Sequence, residues 1–90
     1  MKTEQPTERW IKYRPTTTFA RLGYLVEECG EVLAAIGKSQ RWGLESVNPE
    51  LPSEEQEKNG DWLLRELDDL DRASRLLRRD LRGQGYGSTL

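Results

Sequence analysis

Four acidic residues in this sequence have the types and spacing that favour metal or acid–base chemistry. They form two pairs, Glu28 with Glu31 and Glu66 with Asp69, and the members of each pair are three residues apart. Residues three apart on an α-helix lie on the same side of it. On a helical wheel both pairs fall beside apolar positions, at the edge of the face that each helix buries.

Two interpretations of these pairs are open at this point. Carboxylates that converge on a semi-buried flank repel one another and lose solvation, and a bound cation would offset both costs. A site whose ligands are all oxygens suits Mg²⁺ or Mn²⁺. The alternative is that each pair belongs to an ordinary solvated helix face, which is where acidic residues usually lie.

Composition excludes several other kinds of chemistry. The 90 residues include one cysteine and no histidine, which excludes Cys/His zinc sites, Ser/His/Asp triads and an internal disulfide. The 14 Lys and Arg residues nearly balance the 16 Asp and Glu residues, so a nucleic-acid partner is not favoured. Apolar runs are too short for a membrane span or a secretory signal. We therefore expect a cytoplasmic protein that binds neither nucleic acid nor a membrane.

Two amphipathic helices are predicted to position the acidic pairs, over residues 17–41 and 60–82. Both show apolar residues spaced by three and four, the pattern of one helix face. In the first helix these residues are Phe19, Leu22, Val26, Cys29, Leu33 and Ile36. In the second they are Leu63, Leu67, Leu70, Ser74, Leu77 and Leu81. Cys29 is expected in the core, and Gly43 is expected to end the first helix.

The rest of the chain is predicted to be irregular. Residues 1–16 are predicted to form an N-terminal arm, and residues 83–90 are predicted to form a flexible, glycine-rich tail. Between the helices, the Pro-rich acidic segment 43–58 is a connection, with one short helical turn at Ser53. Residues 17–82 therefore form a single helical domain.

The first helix also indicates how the chain assembles. Gly23, Gly30 and Gly37 recur every seven residues along it. Each lowers helix propensity by up to about 1 kcal/mol relative to alanine, so close packing of a neighbouring backbone is a reason for their presence. Two helices of this length cover only one side of each other. We expect an all-α helical hairpin that assembles into a four-helix-bundle-type homo-oligomer, either a homodimer or a dimer of dimers.

Two motifs resemble those of MazG-type nucleoside triphosphate pyrophosphohydrolases, an all-α family. The sequence EECGE at 27–31 followed by ELDD at 66–69 is similar to the family signature E-E-x-x-E … E-x-x-D. The sequence GKSQRWG at 37–43 resembles the stretch G-K-x-x-R-[aromatic]-G of small bacterial and phage members. The likeness covers about residues 19–77. One departure is the longer separation of the two acidic motifs, whose excess lies in the connection.

The resemblance implies both a cofactor and a reaction. The ligands of Mg²⁺, or of Mn²⁺ in its place, would be Glu28, Glu31, Glu66 and Asp69. The reaction would be hydrolysis of a (d)NTP to (d)NMP and pyrophosphate, which serves nucleotide-pool house-cleaning. Glu27 or Glu31 is the candidate to orient or deprotonate the attacking water; a surface ion pair is the alternative for Glu27.

Five further residues are candidates for binding the nucleoside triphosphate. Lys38 and Arg41 are placed to contact phosphate, although both also fit an ordinary basic helix end. Trp42 is a candidate to stack on the base, with packing in the core or dimer interface as the alternative. Asn59 is a weaker candidate for a base contact, as is Trp62. A non-catalytic dimeric helical module, for interaction or regulatory nucleotide binding, is the alternative function.

Overall fold

A computed structural model describes residues 15–87 of the chain. In it helix α1 spans Thr18–Trp42, a short 3-10 helix spans Ser53–Glu55, and helix α2 spans Asn59–Gly83. The described residues contain no strand, and neither long helix is apolar enough to cross a membrane. The two helices pack side by side as an antiparallel hairpin, so the predicted all-α hairpin is confirmed. The remaining parts of the predicted arm and tail, 1–14 and 88–90, lie outside the described residues.

The ends of α1 follow the signals in the sequence. Thr17 precedes the helix, and its side-chain oxygen accepts a hydrogen bond from the backbone N–H of Ala20 at 3.1 Å. At the other end Gly43 has a φ of 97° and donates its N–H to the carbonyl of Ser39 at 2.8 Å. A side chain at that φ would be strained, which explains the glycine at this stop. The predicted role of Gly43 is confirmed.

Polar contacts hold the open end of the hairpin, where α1 begins and α2 ends. Arg21 forms an ion pair with Asp80. The hydroxyl of Thr18 donates to the other carboxylate oxygen of Asp80 at 3.1 Å, and the amide of Gln84 donates to that hydroxyl at 2.8 Å. Because these contacts join residues about 60 positions apart in the sequence, they fix the register of one helix against the other.

The connection is tied to the start of α2 by backbone hydrogen bonds. The N–H of Asn59 donates to the carbonyl of Ser46, and that of Gly60 to the carbonyl of Leu44, both at 2.8 Å. The buried Asn59 side chain also donates to the carbonyl of Gly43 at 3.0 Å. A side chain at Gly60 would meet Leu44 at about 3.4 Å. The connection therefore lies close against the first turn of α2.

The helices bury a narrow apolar core, and it lies on a different face of α1 from the one predicted. The buried apolar residues are Val32, Ala35, Ala73, Leu76 and Leu77. Those of α1 lie about 110° around the helix from the centre of the predicted apolar stripe. The small alanines on both helices allow the backbones to approach there.

The predicted stripe of α1 is instead exposed to solvent. We call it the outer face and define it by Phe19, Leu22, Val26, Cys29, Leu33 and Ile36. Phe19 is 85% exposed, Val26 72% and Leu33 68%. The prediction that Cys29 lies in the core is wrong for the hairpin, where its thiol is exposed. The physical reason is that the apolar surface of α1 is wider than one packed helix can cover.

Candidate functional site

Three of the four predicted metal ligands converge between the helices. Glu28 comes from α1, while Glu66 and Asp69 come from α2, and one carboxylate oxygen of each lies within 4.8 Å of the others. We call these three residues the acidic cluster. Glu66 is buried, and the other two are half-buried. Glu28 lies one turn from Val32, so the packing that buries the core of α1 also carries this carboxylate towards α2.

Burial and mutual repulsion oppose ionisation of the cluster. Burial is the main cause that raises the pKa of Glu28 to about 7, and the charges of Asp69 and Glu66 raise it further. Burial also raises the pKa of Glu66, although the charge of Arg65 and a hydrogen bond from Trp62 act in the opposite direction. Glu28 and Glu66 are therefore harder to ionise than exposed carboxyl groups.

One oxygen of the cluster has no donor. Among the described residues, Oε1 of Glu28 is buried without a hydrogen-bond partner. By contrast, Oε2 of Glu66 accepts a hydrogen bond from Nε1 of Trp62 at 3.2 Å, and Oδ1 of Asp69 accepts one from Arg72 at 3.0 Å. A buried acceptor without a partner is costly, and a divalent cation would satisfy it. Three carboxylates of this kind fit Mg²⁺ or Mn²⁺, which prefer oxygen ligands.

Tyr24 borders the acidic cluster from one turn earlier on α1. Burial, followed by the negative charges of Glu28 and Asp69, raises the pKa of Tyr24 to about 12, while Arg72 acts against this rise. The phenol is therefore neutral at physiological pH. Its hydroxyl is a neutral polar group beside the acidic cluster.

The fourth predicted ligand, Glu31, lies outside the acidic cluster. Its side chain is exposed, yet its charge contributes to the raised pKa of both Glu28 and Glu66. Glu27 is exposed as well, and its charge acts on Glu28. The structure thus brings three predicted ligands together and places the two candidates for water activation at the exposed border. Metal ligation by Glu31 stays a prediction.

A pocket of about 620 Å³ lies at the closed end of the hairpin, where the connection meets both helices. Aliphatic residues of the connection form part of its wall, and α1 and α2 supply aromatic and charged groups. Residues that line it include Val47, Pro49, Leu51, Lys38, Trp42 and Trp62. The pocket therefore combines aromatic and aliphatic walls with polar and charged side chains, which include Glu55, Glu57 and Arg65, and such a lining can hold a small polar molecule.

Four of the five predicted substrate contacts line this pocket, and one does not. The four are Lys38, Trp42, Asn59 and Trp62, whereas Arg41 is exposed near the end of α1 and does not line it. The amide of Asn59 donates to the carbonyls of Gly43 and Lys38, at 3.0 and 3.4 Å. Asn59 therefore holds the connection in place, a role that the sequence did not indicate.

Two residues join the pocket to the acidic cluster. Trp62 and Arg65 line the pocket, and both donate hydrogen bonds to Oε2 of Glu66, at 3.2 and 3.4 Å. Arg65 also holds Glu57 of the connection with two hydrogen bonds, at 3.2 and 2.9 Å. The sequence patterns did not indicate a role for Arg65. The available signal was its position next to Glu66, together with an acidic connection that needs a counter-charge.

The chain matches no protein-family model, no curated protein and no solved structure. The likeness to MazG-type pyrophosphohydrolases therefore rests on the two motifs and stays a prediction. What the site can do follows from the donor types, distances and burial of its own residues.

Proposed function

We propose that this protein is a Mg²⁺-dependent nucleoside triphosphate pyrophosphohydrolase, which hydrolyses a (d)NTP to (d)NMP and pyrophosphate. The observation that carries the proposal is the acidic cluster, in which Glu28, Glu66 and Asp69 converge and one buried oxygen of Glu28 lacks a donor. Such a donor set suits Mg²⁺, with Mn²⁺ as a substitute. House-cleaning of the nucleotide pool in the cytoplasm is the proposed role.

The residues of the cluster would hold the cation and keep its ligands in place. Glu28, Glu66 and Asp69 each offer a carboxylate oxygen, and the hydrogen bond from Trp62 orients the carboxylate of Glu66. A hydrogen bond from a neighbouring side chain to a metal-ligating carboxylate fixes the orientation of that carboxylate. When bound, the cation would supply charge neutralisation for the phosphates and a lowered pKa for an attacking water.

Exposed side chains at the border of the cluster are proposed to activate the water and to bind the phosphates. Glu31 and Glu27 are the proposed groups that orient the water and accept its proton, since both carboxylates lie close enough for their charges to act on Glu28. Lys38 and Arg41 are the proposed phosphate contacts, and Lys38 lines the pocket beside the cluster. No protein nucleophile is needed when a water attacks the phosphate.

We also propose that two hairpins associate through the outer face to form a four-helix bundle. The outer face exposes Phe19, Val26 and Leu33 in one copy. Gly23 and Gly30 lie beside these residues, and apart from their neighbours in the helix no atom of the described residues lies within 4 Å of where a side chain of either glycine would begin. Nothing within one described hairpin therefore requires these glycines, whereas a helix of a second copy packed closely there would.

The test is turnover of a panel of canonical and modified (d)NTPs with Mg²⁺ or Mn²⁺, followed by chromatography of the products. We expect nucleoside monophosphate and pyrophosphate. Glu28→Gln and Glu66→Gln should each lower kcat by at least about 100-fold, because both residues would hold the cation that stabilises the charge of the transition state, and losing such stabilisation has effects of this order. Asp68→Asn is the matched control, since Asp68 is an exposed acid next to the cluster.

Other products would contradict the proposal. Release of diphosphate and orthophosphate would place the cleavage at the wrong bond. Absence of turnover across the panel, together with unchanged thermal stability on adding Mg²⁺, would indicate a non-catalytic helical module. Mg²⁺-dependent stabilisation without turnover would indicate a nucleotide-binding module that lacks catalysis.

A further inference from the structure

The pocket and the acidic cluster share a wall. Trp62 and Arg65 line the pocket, and the same two side chains donate hydrogen bonds to Oε2 of Glu66, which belongs to the cluster. A molecule that fills the pocket therefore lies one side chain away from the carboxylates. The charged end of that molecule can therefore lie at the cluster while the rest of it occupies the pocket.

The lining of the pocket matches a flat, weakly polar group attached to a polar sugar. Trp42 and Trp62 supply aromatic surface, and Val47 and Leu51 supply aliphatic surface. Aromatic side chains stack on nucleobases with little dependence on the base. The volume of about 620 Å³ lies within the range of about 300–1,000 Å³ that is usual for small-molecule pockets.

Charged residues in and around the pocket favour a ligand orientation in which the phosphates point towards the acidic cluster. Lys38 lines the pocket from α1, and Arg65, which also pairs with Glu57 and Glu66, lies where the pocket meets the acidic cluster. Cationic side chains at this border suit a phosphate chain that leaves the pocket towards a metal-binding cluster. The opposite orientation would place phosphates against the connection, which contributes the acidic residues Glu55 and Glu57 to the lining and no positive charge.

The connection is held firmly enough to shape one wall. The N–H of Asn59 binds the carbonyl of Ser46, and Arg65 binds Glu57 through two nitrogen atoms. Between these two anchors lie Val47 and Leu51. A segment anchored at both ends has less conformational freedom to lose when a ligand binds, which favours affinity.

We propose that this pocket holds the base and sugar of a nucleotide, with its phosphates directed past Trp62 to the acidic cluster, and that residues 46–51 determine which base is accepted. The inference rests on the proposed function for the identity of the ligand. It assigns to the longer connection the specificity role that the acidic motifs do not fill. The residues that line the pocket all belong to one chain.

The test uses nucleoside monophosphates, because their binding can be measured without metal and without turnover. Amide and indole resonances of the full chain are recorded by NMR, with a chelator present, during titration with AMP, GMP, CMP and UMP and their deoxy forms. We expect saturable shifts for at least one nucleotide, concentrated at the amides of residues 46–51 and at the indole N–H groups of Trp42 and Trp62. Inorganic triphosphate, which has no base, should leave the amides of 46–51 unshifted.

Two variants fill the pocket and one serves as a matched control. Val47→Phe and Leu51→Phe place a larger side chain in the pocket wall and should each weaken binding by about tenfold. Leu51 is 40% exposed, so its variant is expected to fold even if Val47→Phe does not. Leu64→Phe makes the same change at an exposed residue that does not line the pocket, and its binding should equal that of the wild type.

The outcomes separate the two proposals. Nucleotide binding at 46–51 in a chain that hydrolyses no triphosphate would refute the proposed activity and leave the pocket assignment standing. Hydrolysis of triphosphates with shifts confined to other residues, or with equal affinity in folded Leu51→Phe, would overturn the pocket assignment and leave the activity standing. Absence of shifts with every monophosphate at millimolar concentration would also overturn it.

Discussion

Glu28 is the residue at which the fold and the chemistry conflict most directly. Burial and the carboxylates of Glu66 and Asp69 favour its protonated form and raise its pKa to about 7. Cation binding requires the ionised form. The same carboxylate therefore opposes stability in the metal-free chain and supports metal binding at higher pH.

This conflict predicts a specific dependence of stability on pH. Because the folded pKa of Glu28, about 7, exceeds its ordinary value of 4.5, the folded chain holds the proton more tightly than the unfolded chain. The contribution to stability is therefore fully present below about pH 4.5 and is lost as the pH rises to about 7. In a chelator, thermal unfolding of the wild type should shift down by several degrees over this interval relative to Glu28→Gln. Saturating Mg²⁺ should reverse the trend in the wild type alone.

The control for this measurement is Asp68→Asn, which removes a neighbouring exposed acid. Its pH profile should follow that of the wild type, because an exposed carboxylate contributes little through charge. Parallel profiles of the wild type and Glu28→Gln in the chelator would show that Glu28 ionises normally in the folded chain, contrary to this prediction.

At the residue scale, sequence spacing located part of the site. The i, i+3 pairs identified Glu28, Glu66 and Asp69, since residues three apart share a helix side. The same rule also included Glu31, which the structure leaves exposed and outside the cluster. Spacing gives the side of a helix but not the depth or rotation at which a neighbouring helix meets it. Arg65 was missed because its partner Glu57 lies in the connection, whose path no periodicity describes.

At the scale of elements, Arg65 couples the connection to α2. It holds Glu57 through two hydrogen bonds and Glu66 through a third. The connection is also held by backbone bonds at Asn59 and Gly60. Its position over the pocket therefore depends on both a side-chain anchor and a backbone anchor, at opposite ends of the segment that lines the pocket.

We predict that Arg65→Gln loosens the connection without unfolding the hairpin. Because Arg65 is partly exposed, the loss should be within about 1 kcal/mol. Amide hydrogen exchange within residues 53–57 should accelerate by roughly two- to fivefold, the range that this energy allows. Arg75→Gln is the matched control, since Arg75 pairs with Asp71 on an exposed face of α2. Equal exchange in the wild type and in Arg65→Gln would show that Arg65 does not anchor the connection.

The helices themselves were predicted well, and the face at which they meet was not. Both helices end within one residue of the predicted limits, because caps and three/four spacing are local signals. The core face of α1 was misassigned since its apolar surface includes both Val32 and the outer face. When a helix carries two apolar faces, the sequence alone does not say which of them packs against the other helix of the hairpin.

At the scale of the molecule, one hairpin leaves much of its apolar surface uncovered. The core consists of Val32, Ala35, Ala73, Leu76 and Leu77, and none of the large side chains among the described residues is fully buried. A core of this size gives little stability, and small domains of this kind are commonly stabilised by association. On the helical wheel the outer face and Glu31 lie on opposite sides of α1, so association there leaves the cluster's border accessible.

We predict that the chain is a dimer at micromolar concentration and that Val26→Asp or Leu33→Asp makes it a monomer. Both side chains lie on the outer face, more than two-thirds exposed in one copy, and a buried unpaired carboxylate would cost several kcal/mol in an interface. Sedimentation velocity measures the change directly. Leu64→Asp is the control, because Leu64 is 60% exposed on the side of α2 that points away from α1, and it should leave the dimer intact. A wild-type monomer, or a dimer that survives both outer-face variants, would show that the outer face serves another purpose.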